Sequence, residues 1–297
     1  NFFANISKEI EEILLEEKPD WVIVFADPNT PMAGALVSAK LNIPLIHLEA
    51  GCRSFNKKMP EELNRILCDH YSDLLIATDN VSKKNLLREG IPEKKISVVG
   101  STAIEAVLRN VTYVRNKSTI FDSLGLEKNK YVRLTIHRAE NTDSLEILQG
   151  LVDSVNHLAD KYNNKIKFIF PLHPRTRKKL EESSLKLSKY ITVVQPQGYL
   201  NFLSLLDNCL FVMSDSGGIQ EEAAALNKPC LILRNETEWT YLTDLGKNKL
   251  IGNNKELIIK EVTEVLQDRS KLENMKQVSL DLNVNIAEKI VEVIKNA

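Results

Sequence analysis

One stretch in the last third of the chain constrains the fold more than any other: an apolar run, a glycine-containing turn and a helix-forming segment follow each other directly. Residues 209–213 predict a buried strand, 216–218 a tight turn and 219–226 a helix. The first N–H groups of a helix lack intrahelical partners and carry partial positive charge, and glycine lets a ligand approach the backbone. The stretch therefore predicts an anion site, with Glu222 placed to contact a ribose beside phosphates. An ordinary strand–turn–helix connection with a serine cap is the alternative.

Length and charge narrow the class of protein. The chain has 297 residues, enough for one large or two medium α/β domains. Its 39 basic and 40 acidic residues leave no positive excess that would favour nucleic acid or an anionic membrane. No apolar run is long enough to span a bilayer and no signal peptide is visible, so we expect a cytoplasmic protein without membrane or nucleic-acid partners.

The four cysteines show no spacing typical of metal ligands, and we expect reduced thiols and no metal site. The beginning of the chain is unusual for an α/β nucleotide-binding domain, because Asn1-Phe2-Phe3 leads directly into a helix without an opening strand. We therefore expect the first domain to be truncated at its N-terminus.

Strands and helices alternate along both halves of the chain, which predicts parallel sheets joined by helical crossovers. The polar, weakly patterned residues 111–130 are expected to cross between two domains. The predicted fold is α/β, with two Rossmann-like, doubly wound domains facing each other across a cleft. We place the first domain at 1–115, the second at 116–281, and a terminal helix at 282–297 that packs back on the first domain. The predicted strands are 21–26, 43–48, 74–78, 96–99, 131–136, 166–170, 191–194, 209–213 and 229–233.

Acidic residues follow two strands of the first half, where parallel sheets bind ligands. Asp27 follows a continuous apolar run that is typical of a strand covered on both faces, although capping of the next helix also explains it. Glu49 is a poor cap and is rarely buried without a partner, which favours a site role. Glu61 and its neighbour Glu62 suit the start of a helix, so only one of them needs a function.

In the second half, His137 and Arg138 follow a strand, and a histidine in that position is suited to proton transfer near neutral pH. His173 follows the next strand and is either phosphate-facing or part of a solvated turn. Phe202 is either a core residue or an aromatic that packs on a base. Carboxylates and a histidine without a metal pattern suit removal and return of a proton at carbon. The nucleophile elbow of a Ser-His-Asp hydrolase is absent.

Five motifs occur in order and together resemble the non-hydrolysing UDP-N-acetylglucosamine 2-epimerases over about residues 21–252. They are Asp27-Pro28-Asn29-Thr30, His47-Leu48-Glu49-Ala50-Gly51-Cys52-Arg53-Ser54-Phe55, Met59-Pro60-Glu61-Glu62-Leu63-Asn64-Arg65, His137-Arg138-Ala139-Glu140-Asn141 and Asp215-Ser216-Gly217-Gly218-Ile219-Gln220-Glu221-Glu222. The resemblance implies a two-domain GT-B fold and a cytoplasmic homodimer. It also implies interconversion of UDP-GlcNAc and UDP-ManNAc without a cofactor or metal.

The resemblance also implies roles for individual residues. The family's proposed mechanism is anti elimination of UDP, giving 2-acetamidoglucal, followed by reprotonation at C2 and re-addition of UDP. The residues implicated in catalysis are Asp27, Glu49, Glu61 and His137, with Asp27 and Glu49 as the acid/base pair. The substrate-binding residues are Arg138, His173, Phe202 near uracil, Ser216, Gly217 and Gly218 at the diphosphate, and Glu222 at the ribose.

Three departures from the family pattern leave the exact reaction open. The first strand with its arginine-containing loop is missing, the usual Gly-Asp-Thr is Ala26-Asp27-Pro28, and the usual Arg-Pro-Glu after Glu238 is Trp239-Thr240-Tyr241. The last change points to a modified substrate, such as a diacetamido or uronate derivative of UDP-GlcNAc. The sequence is also compatible with a hydrolysing epimerase, a GT-B glycosyltransferase or an inactive binding remnant.

Overall fold

The computed structural model of the chain describes residues 2–280 and 284–297. It consists of two compact units, Asn1–Thr102 with Asn285–Ala297, and Ala103–Val284. Each contains one parallel sheet with helices, which confirms the predicted fold class. The cleft between the units and the domain limits placed at 115 and 281 stay predictions, and residue 281 itself lies outside the described residues. No helix in the described ranges is both long and apolar enough to cross a membrane.

The first unit alternates helices and strands, and its described strands form a parallel sheet in the order β1-β2-β3-β4. Phe25 of β1 is paired with Leu48 of β2, so the residues that follow these strands lie at the same edge of the sheet. The elements are α1 (Phe2–Glu17), β1 (Val22–Phe25), α2 (Asn29–Leu41), β2 (Leu45–Ala50), α3 (Pro60–Tyr71), β3 (Leu74–Ala77), α4 (Asn80–Arg88) and β4 (Ile96–Val98).

Strand β1 differs from the prediction that both of its faces are covered. Val24 is buried with Ala35 of α2, whereas Ile23 and Phe25, which point to the other face, are 52% and 48% exposed. In the described sheet β1 is an edge strand. A continuous apolar run does not distinguish an edge strand from a central one, because both faces of either strand can be apolar.

The second unit is larger, and its described strands form a parallel sheet in the order β10-β9-β8-β5-β6-β7. The elements are α5 (Thr102–Lys117), α6 (Ile120–Ser123), β5 (Tyr131–Thr135), α7 (Ala139–Thr142), α8 (Leu145–Tyr162), β6 (Lys167–Pro171), α9 (Pro174–Glu182), β7 (Ile191–Val194), α10 (Tyr199–Asn208), β8 (Phe211–Ser214), α11 (Gly217–Ala225), β9 (Cys230–Ile232), α12 (Thr240–Asp244), β10 (Asn248–Leu250), α13 (Lys255–Gln267) and α14 (Ser270–Gln277).

Two segments near the unit boundaries have a definite structure. Residues 111–117, expected to belong to a polar crossing, continue α5, and Val111 and Val114 pack in the same core as Tyr131. The last helix, α15 (Ile286–Lys295), belongs to the first unit, where Ile286 and Ile290 pack against Ile46 of β2. The predicted residues 282 and 283 of that segment lie outside the described residues.

The strand order of the second sheet determines where a ligand binds. The chain runs from β5 outward to β6 and β7, then returns to the other side of β5 as β8, β9 and β10. The loop after β5 therefore leads to one side of the sheet and the loop after β8 to the other. Where two such loops diverge, a crevice forms beyond the carboxyl ends of the two strands. Thr135 at the end of β5 is paired with Ser214 at the end of β8.

Two glycines of the first unit, Gly51 after β2 and Gly90 after α4, test whether the loop after β2 has room for a side chain at Gly51. Gly51 and Gly90 have nearly equal left-handed φ angles of +83° and +84°. A Cβ at Gly51 would overlap the backbone oxygen of Ser82, whereas a Cβ at Gly90 would meet nothing within 4 Å. We expect Gly90→Ala to lower the free energy of unfolding by about 1 kcal/mol and Gly51→Ala by roughly 3 kcal/mol or more. Equal losses in urea unfolding would contradict this account of the loop.

Candidate functional site

A cavity of about 440 Å³ lies at the point between β5 and β8 where the connections diverge. It brings together six of the predicted site residues with residues that the sequence analysis did not single out. The predicted residues in its lining are His137, His173, Phe202, Ser216, Gly218 and Glu222. Arg133, Thr135 and Tyr199 also line it. The volume and the mixture of aromatic and polar groups suit a small organic ligand such as a nucleotide.

His137 is held in the cavity by Asp215, a fully buried carboxylate at the end of β8. The Nδ1 atom of His137 lies 2.9 Å from Asp215, which also accepts the backbone N–H groups of His137 and Arg138 and the amide of Asn141. Although burial opposes ionisation, the hydrogen bonds and charge of His137 hold the pKa of Asp215 below its ordinary value. The ring thus donates through Nδ1, and Nε2 remains for chemistry.

The turn at the start of α11 has two glycines with different surroundings. A Cβ at Gly217 would overlap Glu238, and it would lie 3.4 Å from Arg138. Gly218 lines the cavity, and a Cβ there would meet nothing within 4 Å. Ser216 is the N-cap residue of α11, but its side chain makes no capping hydrogen bond. The hydroxyl group and the helix N-terminus therefore suit an anion in the cavity.

Arg138 faces a group of charges that the sequence analysis did not identify. Its Nη2 lies 3.8 Å from Glu238, which is also paired with the fully buried Arg234 at 2.9 Å. Arg234 in turn binds Glu140 at 2.8 Å. These contacts fix the loop after β9 against the loop after β5. In the sequence, the charged residues 234–238 after an apolar strand indicate this group. Their partners could not be identified there, because Glu140, which binds Arg234, lies 94 residues earlier in the chain.

Glu222 lies one turn into α11 and faces the cavity. Burial raises the pKa of its carboxyl group to about 7, although the nearby Arg133 acts in the opposite direction. A carboxyl group that is largely removed from water and has a nearly neutral pKa is typical of functional sites. Glu222 and Ser216 line the same cavity, which a contact of Glu222 with the ribose beside the diphosphate requires. That contact stays a prediction.

His173 connects the cavity to α9. It is the N-cap residue of that helix, and its Nδ1 accepts the backbone N–H of Arg175 at 3.2 Å. The ring lies 5.3 Å from that of His137, centre to centre. Burial and the neighbouring His137 lower the pKa of His173. The residue therefore combines a local capping role with a position in the cavity.

In the first unit, Asp27 and Glu49 follow the adjacent strands β1 and β2. Asp27 does not cap α2, because Pro28 is the N-cap residue of that helix and the carboxylate of Asp27 instead binds Arg65. Ala26 and Glu49 have left-handed φ angles of 60° and 66°, and the pairing of β2 with β3 shifts at Glu49. Such conformations are costly for residues with a Cβ and are concentrated at functional sites.

The two acids at the start of α3 have different surroundings. Glu62 is 1% exposed and accepts the backbone N–H groups of Ser54 and Phe55, both at 2.9 Å, and a hydrogen bond from Arg65 at 3.0 Å. It therefore holds the loop after β2. Glu61 is only partly buried, and its predicted role in catalysis stays a prediction.

A buried charge network beneath this loop was not predicted. Asp69 of α3 binds Nδ1 of His47 at 2.6 Å, the N–H of Gly51 at 3.1 Å and Arg53 at 2.7 Å. Burial opposes ionisation of Asp69, but His47 and Arg53 outweigh it and hold its pKa below the ordinary value. Arg53 also binds Glu89 through two hydrogen bonds. The network fixes the backbone on both sides of Glu49.

All four cysteines are buried and free. The described residues contain no group of three or more His, Cys, Asp or Glu side chains that could hold a metal ion.

The comparisons with known proteins agree with this architecture. The profile of the family described as UDP-N-acetylglucosamine 2-epimerase matches residues 1–295. A UDP-N-acetylglucosamine 2-epimerase of Methanocaldococcus jannaschii is 45% identical over 273 residues, which are 90% of this chain and 74% of that protein. A UDP-2,3-diacetamido-2,3-dideoxy-D-glucuronate 2-epimerase of Pseudomonas aeruginosa is 38% identical over 275 residues, which are 89% and 73% of the two chains.

A solved structure extends the similarity to the backbone. The crystal structure of the M. jannaschii UDP-GlcNAc 2-epimerase in complex with UDP-GlcNAc and UDP matches with a TM-score of 0.91 and 41% identity, over 99% of this chain and 81% of that one. Two α/β units and a cavity where strand connections diverge define a nucleotide-binding protein consistent with a GT-B-like fold. The chain belongs to the UDP-N-acetylglucosamine 2-epimerase family, a family of isomerases.

The two glycines of the turn provide the first test of this site. We expect Gly217→Ala to destabilise the fold, because the added methyl group overlaps Glu238. Gly218→Ala is expected to leave the melting temperature nearly unchanged and to weaken UDP binding about tenfold, because the methyl group points into the cavity. Melting curves and calorimetric titration with UDP measure both effects. Unchanged UDP affinity in Gly218→Ala would place the diphosphate elsewhere.

Glu222 provides a test with pH. Its folded-state pKa of about 7 exceeds the ordinary 4.5, so between these values the folded protein binds more protons than the unfolded one. The contribution of Glu222 to the free energy of unfolding therefore falls as pH rises through this window. We expect Glu222→Gln to match the wild type below pH 4.5 and to be more stable by roughly 3 kcal/mol above pH 7. A stability difference that does not depend on pH would contradict the assignment.

Proposed function

We propose that the chain interconverts UDP-GlcNAc and UDP-ManNAc as a non-hydrolysing 2-epimerase. The observation that carries the proposal is the cavity itself. It combines a histidine oriented by a buried aspartate, an uncapped helix N-terminus and a nearly neutral carboxyl group, in a chain whose family consists of 2-epimerases. This combination suits a nucleotide diphosphate that must leave and return.

In the proposed mechanism the second unit binds the UDP group. Ser216, Gly218 and the N-terminus of α11 bind the diphosphate and stabilise the negative charge that grows as it departs. Glu222 contacts the ribose, and Phe202 lies near the base. His137 presents Nε2 to the diphosphate or relays a proton, because Asp215 occupies Nδ1. Arg138 and Gly217 support the same turn through Glu238.

The first unit supplies the groups that act at C2. One carboxylate of the pair Asp27 and Glu49 removes the C2 proton while the C1–oxygen bond breaks, so that UDP leaves and a C1–C2 double bond forms. The other then returns a proton to the opposite face of C2, and the UDP oxygen adds back to C1. Arg65 binds Asp27, and Glu49 has a left-handed backbone conformation. Glu61 is the third acid of this group.

A second candidate substrate is a diacetamido or uronate derivative of UDP-GlcNAc. It is supported by the 38% identity to the P. aeruginosa enzyme named for such a sugar, and by the altered segment 239–241. Trp239 is 5% exposed, and Tyr241 donates to Glu221 at 3.3 Å. Analysis of the products from UDP-GlcNAc separates the candidates. UDP-ManNAc indicates epimerisation of UDP-GlcNAc, UDP released together with free ManNAc indicates hydrolysis, and transfer to an acceptor indicates a glycosyltransferase. No conversion of UDP-GlcNAc favours the modified sugar.

We further propose a cytoplasmic homodimer, which the family resemblance implies. Sedimentation equilibrium of the purified chain tests the oligomer directly, because a dimer has twice the 33.6 kDa mass of one chain.

Substitution of the acid/base pair tests the mechanism. In D2O we expect Asp27→Asn and Glu49→Gln each to slow deuterium incorporation at C2 of UDP-GlcNAc by roughly 10²- to 10⁴-fold, because each removes a proton carrier. UDP affinity is expected to stay at the wild-type level. NMR measures the exchange and calorimetry the affinity, with the exposed Glu11→Gln as a matched control. Wild-type exchange in either variant would refute its role.

A further inference from the structure

Arg133 is a buried charge whose purpose is not explained by the packing of the second unit. It lies in the middle of β5, is 2% exposed and lines the cavity. Its Nε and Nη1 atoms are buried and have no hydrogen-bond partner among residues 2–280 and 284–297. A buried guanidinium with unused donors is unfavourable, because those donors have lost water and gained no acceptor. Such a group is retained where a ligand completes its hydrogen bonds.

The guanidinium is nevertheless held in a defined place. Its central carbon lies 4.0 Å from the centre of the Phe202 ring, on α10. A cation stacked on an aromatic face is attracted to the ring, while the N–H donors in its plane stay available. Thr135 projects to the same face of the strand two residues later, and its hydroxyl group is also buried without a partner among the described residues. Two neighbouring side chains of the cavity therefore offer unused donors.

The position of Arg133 identifies the part of the ligand that it contacts. Ser216 and Gly218, which bind the diphosphate in the proposed function, line the cavity beyond the carboxyl end of β8. A strand advances about 3.3 Å per residue, so Arg133 lies roughly 7 Å further than Thr135 from the carboxyl end of β5. The part of a nucleotide that lies farthest from its diphosphate is the base.

We propose that Arg133, with Thr135, is a specificity-determining residue that donates hydrogen bonds to the C4 carbonyl oxygen of uracil. This inference rests on the proposed function. Uracil and cytosine share a carbonyl oxygen at C2, so a contact that distinguishes them must be made at C4, where uracil carries a second carbonyl oxygen. Cytosine carries an amino group at C4, and there its donors would face those of Arg133 with no acceptor between them. A site built from donors therefore rejects cytosine more strongly than it attracts uracil.

The experiment measures the affinity of the full 297-residue chain for UDP, CDP and pyrophosphate by calorimetry. We expect Arg133→Leu to weaken UDP about 10- to 100-fold, because a hydrogen bond to a charged donor is lost. CDP affinity is expected to change little, so the preference for UDP over CDP collapses. Pyrophosphate affinity is expected to stay at the wild-type level, because the diphosphate end is untouched. Thr135→Val, which is nearly isosteric, is expected to reduce the same preference to a smaller extent.

Melting temperature separates recognition from a structural role. Arg133→Leu is expected to melt at or above the wild-type temperature, because it removes a buried charge without hydrogen-bond partners for two of its nitrogens in the described ranges. Tyr131→Phe is the matched control: it lies on the same strand face, and its hydroxyl donates to the Leu205 carbonyl at 2.7 Å. This control is expected to lose stability and keep the preference for UDP over CDP.

The outcomes distinguish this inference from the proposed function. A wild-type preference for UDP in both Arg133→Leu and Thr135→Val overturns the inference, and so does a loss of pyrophosphate affinity as large as that of UDP. A large fall in the melting temperature of Arg133→Leu, with the preference intact in Thr135→Val, assigns Arg133 a structural role and also overturns it. A wild-type chain that binds UDP but does not exchange the C2 proton contradicts the proposed function alone. A wild-type chain that does not bind UDP overturns both.

Discussion

The second unit depends on one buried carboxylate, Asp215, where β5 and β8 diverge. A buried charge is costly unless its hydrogen bonds are complete, and Asp215 accepts two backbone N–H groups, the amide of Asn141 and the ring of His137. The same bonds that stabilise the ion join the loops after two adjacent strands. Folding of this corner therefore also orients the histidine.

In the first unit, too, a buried carboxylate with complete partners holds a loop at the strand ends. Asp69 lies under the loop after β2 and is neutralised by His47 and Arg53, while Glu62 holds the loop from its other side. With the backbone fixed at several points, Glu49 can adopt a left-handed conformation that an isolated strand would avoid. Strain at a functional position is tolerated because neighbouring buried networks stabilise one conformation strongly.

The cavity of the second unit is built at a cost to stability. Burial of Glu222 outweighs its favourable interaction with Arg133, and Arg133 keeps donors that the described protein does not use. Both groups make the ligand-free protein less stable than an apolar lining would. This loss is offset when a ligand supplies the missing partners, so the same groups that weaken the free protein determine which ligand it accepts.

The amino-acid sequence determined the alternation of strands and helices, the two parallel sheets, the glycine turn and the polar residues at strand ends. These features follow from local periodicity and turn chemistry, which a short window contains. The tertiary structure alone decided that β8 pairs with β5, that Asp215 holds His137 from 78 residues away, that Glu62 rather than Glu61 anchors the loop, and that Arg133 lines the cavity. Strand order and the partner of a buried charge depend on contacts between distant segments, and no local pattern encodes them.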